Sequence, residues 1–200
     1  MTVPASSSTL SDRVPSLPRV SFQGAPGAFS ELAIRGIWPN GAVPVPQPTF
    51  EDAVQCALSG NADFAVIPVE NVIAGPVKPA LDVLERSRHR FTQCGEFRLN
   101  VQMCFMALAG AQIADLRVVL SHPMALAQCN HFFATHHWLT PVVHNDTASA
   151  AAEVARGELL NAAALASETA AEQYGLEILA RDVQDIRDNW TRFVVVKANV

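Results

Sequence analysis

The chain is predicted to fold as an α/β protein, and three observations carry that prediction. Short apolar or β-branched runs, such as Ala62 to Pro68, Ala162 to Ala166 and Val194 to Val196, have the length and composition of buried strands. Between them lie stretches with apolar residues at helical spacing, so strands and helices alternate along the chain, as they do in α/β folds with mainly parallel sheets. Half of the 200 side chains are hydrophobic and 16% are charged, enough to bury a sizeable core as one domain or two small lobes.

Residues 1–17 are rich in Ser and Pro, lack the apolar core of a signal peptide and are predicted to be a mobile tail. Arg19 to Gln23 is a strand, followed by the turn Gly24-Ala25-Pro26-Gly27 and a helix start at Ala28-Phe29-Ser30-Glu31. That order aims backbone N–H groups at an anion, but without GxGxxG or a Lys-Ser/Thr pair it does not read as a nucleotide loop. Ala42 to Pro48 is extended, and Thr49 with Asp52 resembles a capping box for a helix carrying Phe50, Ala53, Val54, Ala57 and Leu58, which Gly60 ends. Ala62 to Pro68 is a buried strand, with Glu70 and Asn71 just past its end, where α/β proteins place site residues. A surface loop with an Asn turn fits the same residues.

Val77 to Leu84 is a helix, and Arg86, Arg88, His89 and Arg90 mark its solvated end. From Phe91 to Leu108 the pattern alternates, with Phe97, Leu99, Val101, Met103 and Phe105 on one face, and here the chain is expected to cross between lobes. Leu116 to Leu120 is a strand; Ser121 suits the N-cap of a following helix, with Pro123 in its first turn and Gln128 about two turns in. Pro141 to His144 is a strand, and Asn145-Asp146-Thr147-Ala148 opens a helix running through Ala155. Strand Ala162 to Ala166, helix Glu168 to Tyr174 and strand Leu176 to Ala180 follow. Asp185 to Val196 runs from a polar turn through Thr191-Arg192-Phe193 into Val194, Val195 and Val196. It places a hydroxyl and a guanidinium at the entrance of a core strand, although a plain closing strand fits it too.

The net charge of -5, without a basic cluster, argues against nucleic acid as a partner. Nothing approaches the roughly 18 consecutive apolar residues of a membrane helix, so no membrane partner is expected. Cys56, Cys94, Cys104 and Cys129 show no CxxC pairing, which suits reduced, mostly buried thiols and leads to the expectation of a cytoplasmic location. His131, His136 and His137 lack metal-ligand spacing and fit a solvated helix end.

Six segments, in order from about Val20 to Val196, together resemble the catalytic region of the prephenate dehydratase and arogenate dehydratase family. They are Gln23 to Glu31; Pro68-Val69-Glu70-Asn71; Ser121-His122-Pro123 with Ala125 to Cys129; Asp146-Thr147-Ala148; Tyr174-Gly175-Leu176; and Asn189 with Thr191-Arg192-Phe193. The resemblance implies two α/β lobes like those of type II periplasmic binding proteins, residues 18–98 with 187–200 and residues 99–186, around a central cleft. Glu70, Asn71 and Thr191 then lie on the first lobe, facing Ser121, Gln128 and the Asp146-Thr147-Ala148 turn of the second.

The implied reaction converts prephenate to phenylpyruvate, water and carbon dioxide in phenylalanine biosynthesis, with no metal or organic cofactor. Arogenate is the alternative substrate, and a solute-binding module that keeps the cleft without the chemistry is a second alternative. Thr191 is implied as the hydrogen-bond donor to the departing hydroxyl, while Glu70 is either a proton source or a structural residue. Asn71, Ser121 and Gln128 are implied as polar contacts and the N–H groups of Thr147 and Ala148 as holders of a carboxylate; Asp146 lies where its charge would favour the ammonium of arogenate, its side-chain direction being left open by the sequence. Arg192 either pairs with a carboxylate or braces the strand, and Phe193 joins the binding residues. A small-molecule substrate and a homodimer are the implied partners. Val72 stands where the family usually has a hydroxyl residue, and Met124 where it usually has Gln. The chain stops before the family's phenylalanine-binding regulatory domain, so feedback control within the chain is expected to be absent.

Overall fold

The computed structural model describes residues 16–199, so the expected tail over residues 1–17 lies outside the described residues except for Ser16 and Leu17. In chain order the elements are β1 (Arg19–Gln23), α1 (Phe29–Ile37), β2 (Val43–Gln47), α2 (Phe50–Leu58), β3 (Phe64–Asn71), β4 (Gly75–Pro76), α3 (Lys78–Ser87), β5 (Phe91–Asn100), β6 (Cys104–Ala107), β7 (Val118–Ser121), α4 (Pro123–Ala127), α5 (Asn130–Thr135), β8 (Thr140–Val143), α6 (Thr147–Ala155), β9 (Ala162–Ala166), α7 (Glu168–Tyr174), β10 (Glu177–Ala180) and β11 (Trp190–Ala198). They build two sheets. One has the order β2-β1-β3-β11-β5 with β4 against the end of β3, and the other has the order β10-β6-β9-β7-β8.

Parallel pairing was expected to dominate, but both sheets are mixed. β1 lies parallel to β2 and β3, and β7 parallel to β8 and β9. β11 runs antiparallel to both β3 and β5, and β6 antiparallel to both β9 and β10. The chain leaves the first sheet through residues 101–103 and returns through residues 181–189. The returning strand therefore enters the first sheet between two strands already placed, against their direction. An apolar run reports that a strand is buried, not which way it points.

Each sheet is covered on both faces. In the first, Ala65, Ile67 and Val69 with Val194 and Val196 pack on Ala53, Val54 and Ala57 of α2 and Ala80 and Val83 of α3. Val20, Phe22, Val66, Phe193 and Val195 fill the opposite face against Ala33 and Ile34 of α1. In the second, α6 and α7 meet the sheet through Ala150, Ala151, Ala170 and Ala171, small side chains that let the helices approach β9 closely. Phe105, Leu165 and Val119 pack on Leu126 and Phe132 on the other side.

The cap expected at α2 forms, Thr49 accepting from the Asp52 N–H at 3.0 Å; at α6, where a helix start was expected, Asp146 is the cap and accepts from the Ser149 N–H at 2.7 Å. After β7 the structure differs from expectation. Ser121 remains in the strand, paired with Val143, and His122 is the N-cap. α4 is only five residues long, so Gln128 is its C-cap rather than a position two turns in.

Beyond the two chain crossings, the turn before α1 joins the sheets. Ser167 Oγ donates to the Gly27 carbonyl at 2.6 Å, Tyr174 OH donates to the Pro26 carbonyl at 2.8 Å, and Arg35 pairs with Glu172 at 3.0 Å. Gly27 has φ +85°, and a Cβ there would stand 2.7 Å from the Ala170 Cα, so only glycine permits this approach to α7.

Candidate active site

Between the sheets lies a cavity of about 300 Å3. Strand ends and helix starts supply its walls: Pro68 and Asn71 from β3, Thr191 and Phe193 from β11, Phe29 and Ser30 from α1. The second sheet contributes His122 and Gln128 at the two ends of α4, and Asp146 and Thr147 at the start of α6. Val101 and Met103 from the outgoing crossing and Asn189 from the returning one close the rear.

A bulge in β3 decides which polar residue enters this space. Asn71 pairs with Thr191 and Glu70 with Arg192, but Phe193 pairs with Pro68, which leaves Val69 as an extra residue. Val69 and Glu70 then lie on the sheet face covered by α2 and α3, while Asn71 joins Pro68 on the cavity face. Strict alternation would have put Glu70 there. Instead Glu70 pairs with Arg192 at 3.2 Å, and Arg192 also reaches Glu96 at 3.3 Å. Glu70 and Arg192, both expected in the cleft, are absent from its lining. Arg192 braces the strands.

Ser121 is also misplaced by the sequence reading: it is fully buried, and its hydroxyl donates to the Leu165 carbonyl at 2.6 Å, tying β7 to β9. Val72, the departure from the family pattern, is exposed and does not line the cavity; its N–H donates to the Trp190 carbonyl at 3.0 Å. Ala148 is buried beside the cavity in the first turn of α6.

The polar groups on the cavity are ordered by a chain of amides. Asn71 Oδ1 accepts the N–H groups of Ile73 at 3.0 Å and Ala74 at 2.8 Å, which fixes the orientation of its amide. Its NH2 group therefore faces Asn189 Oδ1 at 2.8 Å, Thr191 Oγ1 at 3.0 Å and the Trp190 carbonyl at 3.2 Å. Asn189, fully buried, passes the direction on by donating to Gln128 Oε1 at 3.0 Å. With its oxygen taking the Asn71 N–H, the Thr191 hydroxyl keeps its proton for the cavity. With Oε1 engaged, Gln128 offers its NH2 group there. His122 Nδ1 accepts the Met124 N–H at 3.2 Å, so in the neutral ring Nε2 carries the proton.

Among the described residues, no Lys or Arg lines the cavity. Negative charge must therefore be met by hydroxyl, amide and backbone N–H groups. Asp146 is occupied as a cap, one oxygen accepting the Ser149 N–H at 2.7 Å and the other the Ser149 hydroxyl at 2.6 Å. Next to Gln128, burial pushes the Cys129 thiol up to about 12, with the nearby Asp185 carboxylate adding to the effect.

Sequence reasoning singled out Asn71, Gln128, Asp146, Thr147, Thr191 and Phe193, which the structure brings to one cavity, with Ala148 adjoining. It missed Phe29, Ser30 and His122 as wall residues and left Asn189 without a role. The signal for the first two was the strand, glycine turn and helix start noted for its aim at anions; for Asn189 it was only its place beside Thr191 in the last motif.

The family model for prephenate dehydratase matches residues 20–200. Arogenate dehydratase/prephenate dehydratase 2, chloroplastic, from Arabidopsis thaliana is 43% identical over 195 residues, covering 96% of this chain and 50% of that protein. Arogenate dehydratase 1 from Petunia hybrida is 44% identical over 181 residues, covering 89% of this chain and 42% of the relative. The chain thus spans about half the length of the curated relatives it matches. Among solved structures, prephenate dehydratase from Arthrobacter aurescens in complex with L-Phe superposes with a TM-score of 0.84 at 27% identity, covering 91% of this chain and 61% of that one. GqqA, described as a novel type of quorum quenching acylase, superposes with a TM-score of 0.83 at 36% identity, covering 91% of this chain and 64% of that one.

The cytoplasmic location expected from the cysteines is overturned by the relatives from Arabidopsis thaliana, which are named as chloroplastic. Unpaired cysteines report a reducing environment, not which compartment provides it. With one family model matched across residues 20–200 and relatives above 40% identity over most of the chain, this protein belongs to the prephenate dehydratase family.

Proposed function

We propose that the chain catalyses the decarboxylating dehydration of prephenate to phenylpyruvate. The observation that carries this reading is the direction of the amide chain, which leaves the Thr191 hydroxyl proton and the Gln128 NH2 group as donors on one cavity. In the reaction the bond to the carboxylate breaks and its electron pair enters the ring. The bond to the hydroxyl breaks with its pair on oxygen, and carbon dioxide and water leave an aromatic ring. The protein's task is to hold the dianion and to stabilise negative charge on the departing oxygen.

Thr191 donates the hydrogen bond to that oxygen. A threonine hydroxyl is too weak an acid to release its proton at neutral pH, so it acts as donor or relay and solvent supplies the proton. Glu70 is not the acid in this scheme, because it is held by Arg192 on the opposite face of the sheet. The N–H groups of Thr147 and Ala148 contact the carboxylate-bearing end of the substrate. Residues 18–98 with 187–200 and residues 99–186 act as two lobes that exclude water from the cavity.

Arogenate is the second reading, favoured by the names of the curated relatives and by the Asp146 carboxylate on the cavity wall, opposite in charge to an ammonium. Acylase activity, described for GqqA, has less support: among the described residues lining the cavity, no hydroxyl is hydrogen-bonded to a histidine ring. The deciding experiment measures turnover of prephenate and of arogenate at neutral pH, corrected for spontaneous aromatisation, for wild type and Thr191→Ala. Wild type is expected to turn over prephenate in preference, and Thr191→Ala to lose about 100-fold or more in kcat with KM nearly kept. Equal rates for the two proteins would refute the role of Thr191, and a preference for arogenate would reassign the substrate.

A further inference from the structure

The start of α1 carries donors that the protein itself does not use. Its N-cap, Ala28, has no side-chain hydrogen bond, and among the described residues the N–H groups of Phe29 and Ser30 have no acceptor. Ser30 is only 8% exposed and lines the cavity, and its hydroxyl has no hydrogen-bond partner among the described residues. Ser30 lines the cavity and its unpaired hydroxyl is not sealed off from it, so the hydroxyl is free for a group that a ligand supplies.

Donors without acceptors suit an anion. Glu31, the acidic residue of the first turn, is turned back onto the Gly27 N–H at 2.8 Å and paired with Arg35 at 3.3 Å. The Glu31 carboxylate thus takes the Gly27 N–H and leaves the Phe29 and Ser30 N–H groups without an acceptor among the described residues. At α6 the Asp146 carboxylate caps the Ser149 N–H, whereas no side chain caps the start of α1. The contacts of Gly27 and Pro26 with Ser167 and Tyr174 hold the α1 start against the second sheet, so these donors are preorganised.

We propose that the Phe29 and Ser30 N–H groups and the Ser30 hydroxyl form a carboxylate subsite, and that it takes the side-chain carboxylate that substrate and product share. The identity of the ligand rests on the dehydratase reading. The choice between the two carboxylates follows from the chemistry. The ring carboxylate leaves as carbon dioxide and must give up its electron pair, which donors holding its charge would oppose; the side-chain carboxylate keeps its charge throughout and serves as the anchor.

The test is calorimetric binding of phenylpyruvate and of its uncharged methyl ester to wild type, Ser30→Ala and Ser30→Thr, together with KM for the substrate. Ser30→Ala is expected to weaken phenylpyruvate binding about tenfold and to raise KM by a similar factor, leaving the ester unaffected, while Ser30→Thr recovers most of the loss. Ser30→Cys, similar in size and a weak donor, repeats the test if Ser30→Ala does not fold. Equal loss of acid and ester, unchanged binding of phenylpyruvate together with unchanged KM, or no binding to wild type would each overturn the subsite. A raised KM with product binding intact would overturn its assignment to the shared carboxylate. Ser30-dependent binding of phenylpyruvate without turnover would instead refute the dehydratase reading alone.

Discussion

Asn71 faces a choice that its backbone settles. Two N–H groups two and three residues downstream occupy its oxygen, so its NH2 group must face Asn189 and Thr191, and the donors on the cavity follow from that. Asn189 is the residue that transmits the order from one sheet to the other, since it accepts from Asn71 and donates to Gln128. Asn189→Asp keeps the acceptor but removes the donor. Gln128 then turns its NH2 group onto the new carboxylate and presents its carbonyl to the departing oxygen. We expect kcat to fall about 10- to 100-fold with a smaller change in KM. Steady-state kinetics beside a thermal melt checks this, with Glu70→Gln as the control expected to stay within about threefold, because its ion pair is largely solvent-screened.

At the scale of elements, two irregularities aim the site. The extra residue Val69 exchanges Glu70 for Asn71 on the cavity, and the Gly24 to Gly27 turn presses the start of α1 against α7. Gly27 and Gly60 both have positive φ, at +85° and +76°, but a Cβ at Gly60 meets nothing within 4 Å. Gly60→Ala therefore bears only the backbone strain, roughly 1 kcal/mol. Gly27→Ala adds the collision with Ala170, and we expect roughly 2 kcal/mol or more of lost stability in urea unfolding. It should also raise KM, since the α1 start has to move away from the cavity; equal destabilisation by the two variants would show that the approach to α7 is not tight.

Across the whole molecule, the cavity gathers amide, hydroxyl and backbone dipoles from both sheets and, among the described residues, no Lys or Arg. The inner strands β6 and β9 of the second sheet are buried throughout, whereas its edge strand β8 is exposed. Cys104 and Cys129 are buried, and burial raises both above the ordinary thiol value, whereas Cys94 on the edge strand β5 is exposed. Cys94 should label rapidly with a disulfide reagent in the native protein, because its thiol is exposed. Cys104 and Cys129 should label only at the rate of unfolding, because both thiols are buried and burial holds them toward the protonated form. Labelling of Cys129 in the native protein as fast as Cys94 would contradict its burial.

Most strands and helices were legible in the sequence because burial writes itself into local pattern: β9, α7 and the capped start of α2 fall where spacing and caps put them. The motifs also carried Asn71, Gln128, Thr147 and Thr191 to the site. What local pattern does not contain is direction and parity. The antiparallel insertion of β11, the length of β7 that kept Ser121 in the sheet, and the bulge that turned Glu70 away were decided by pairing partners more than 20 residues distant. A one-residue change of register moves a side chain to the other face of a sheet, and only the assembled strands determine which face that is.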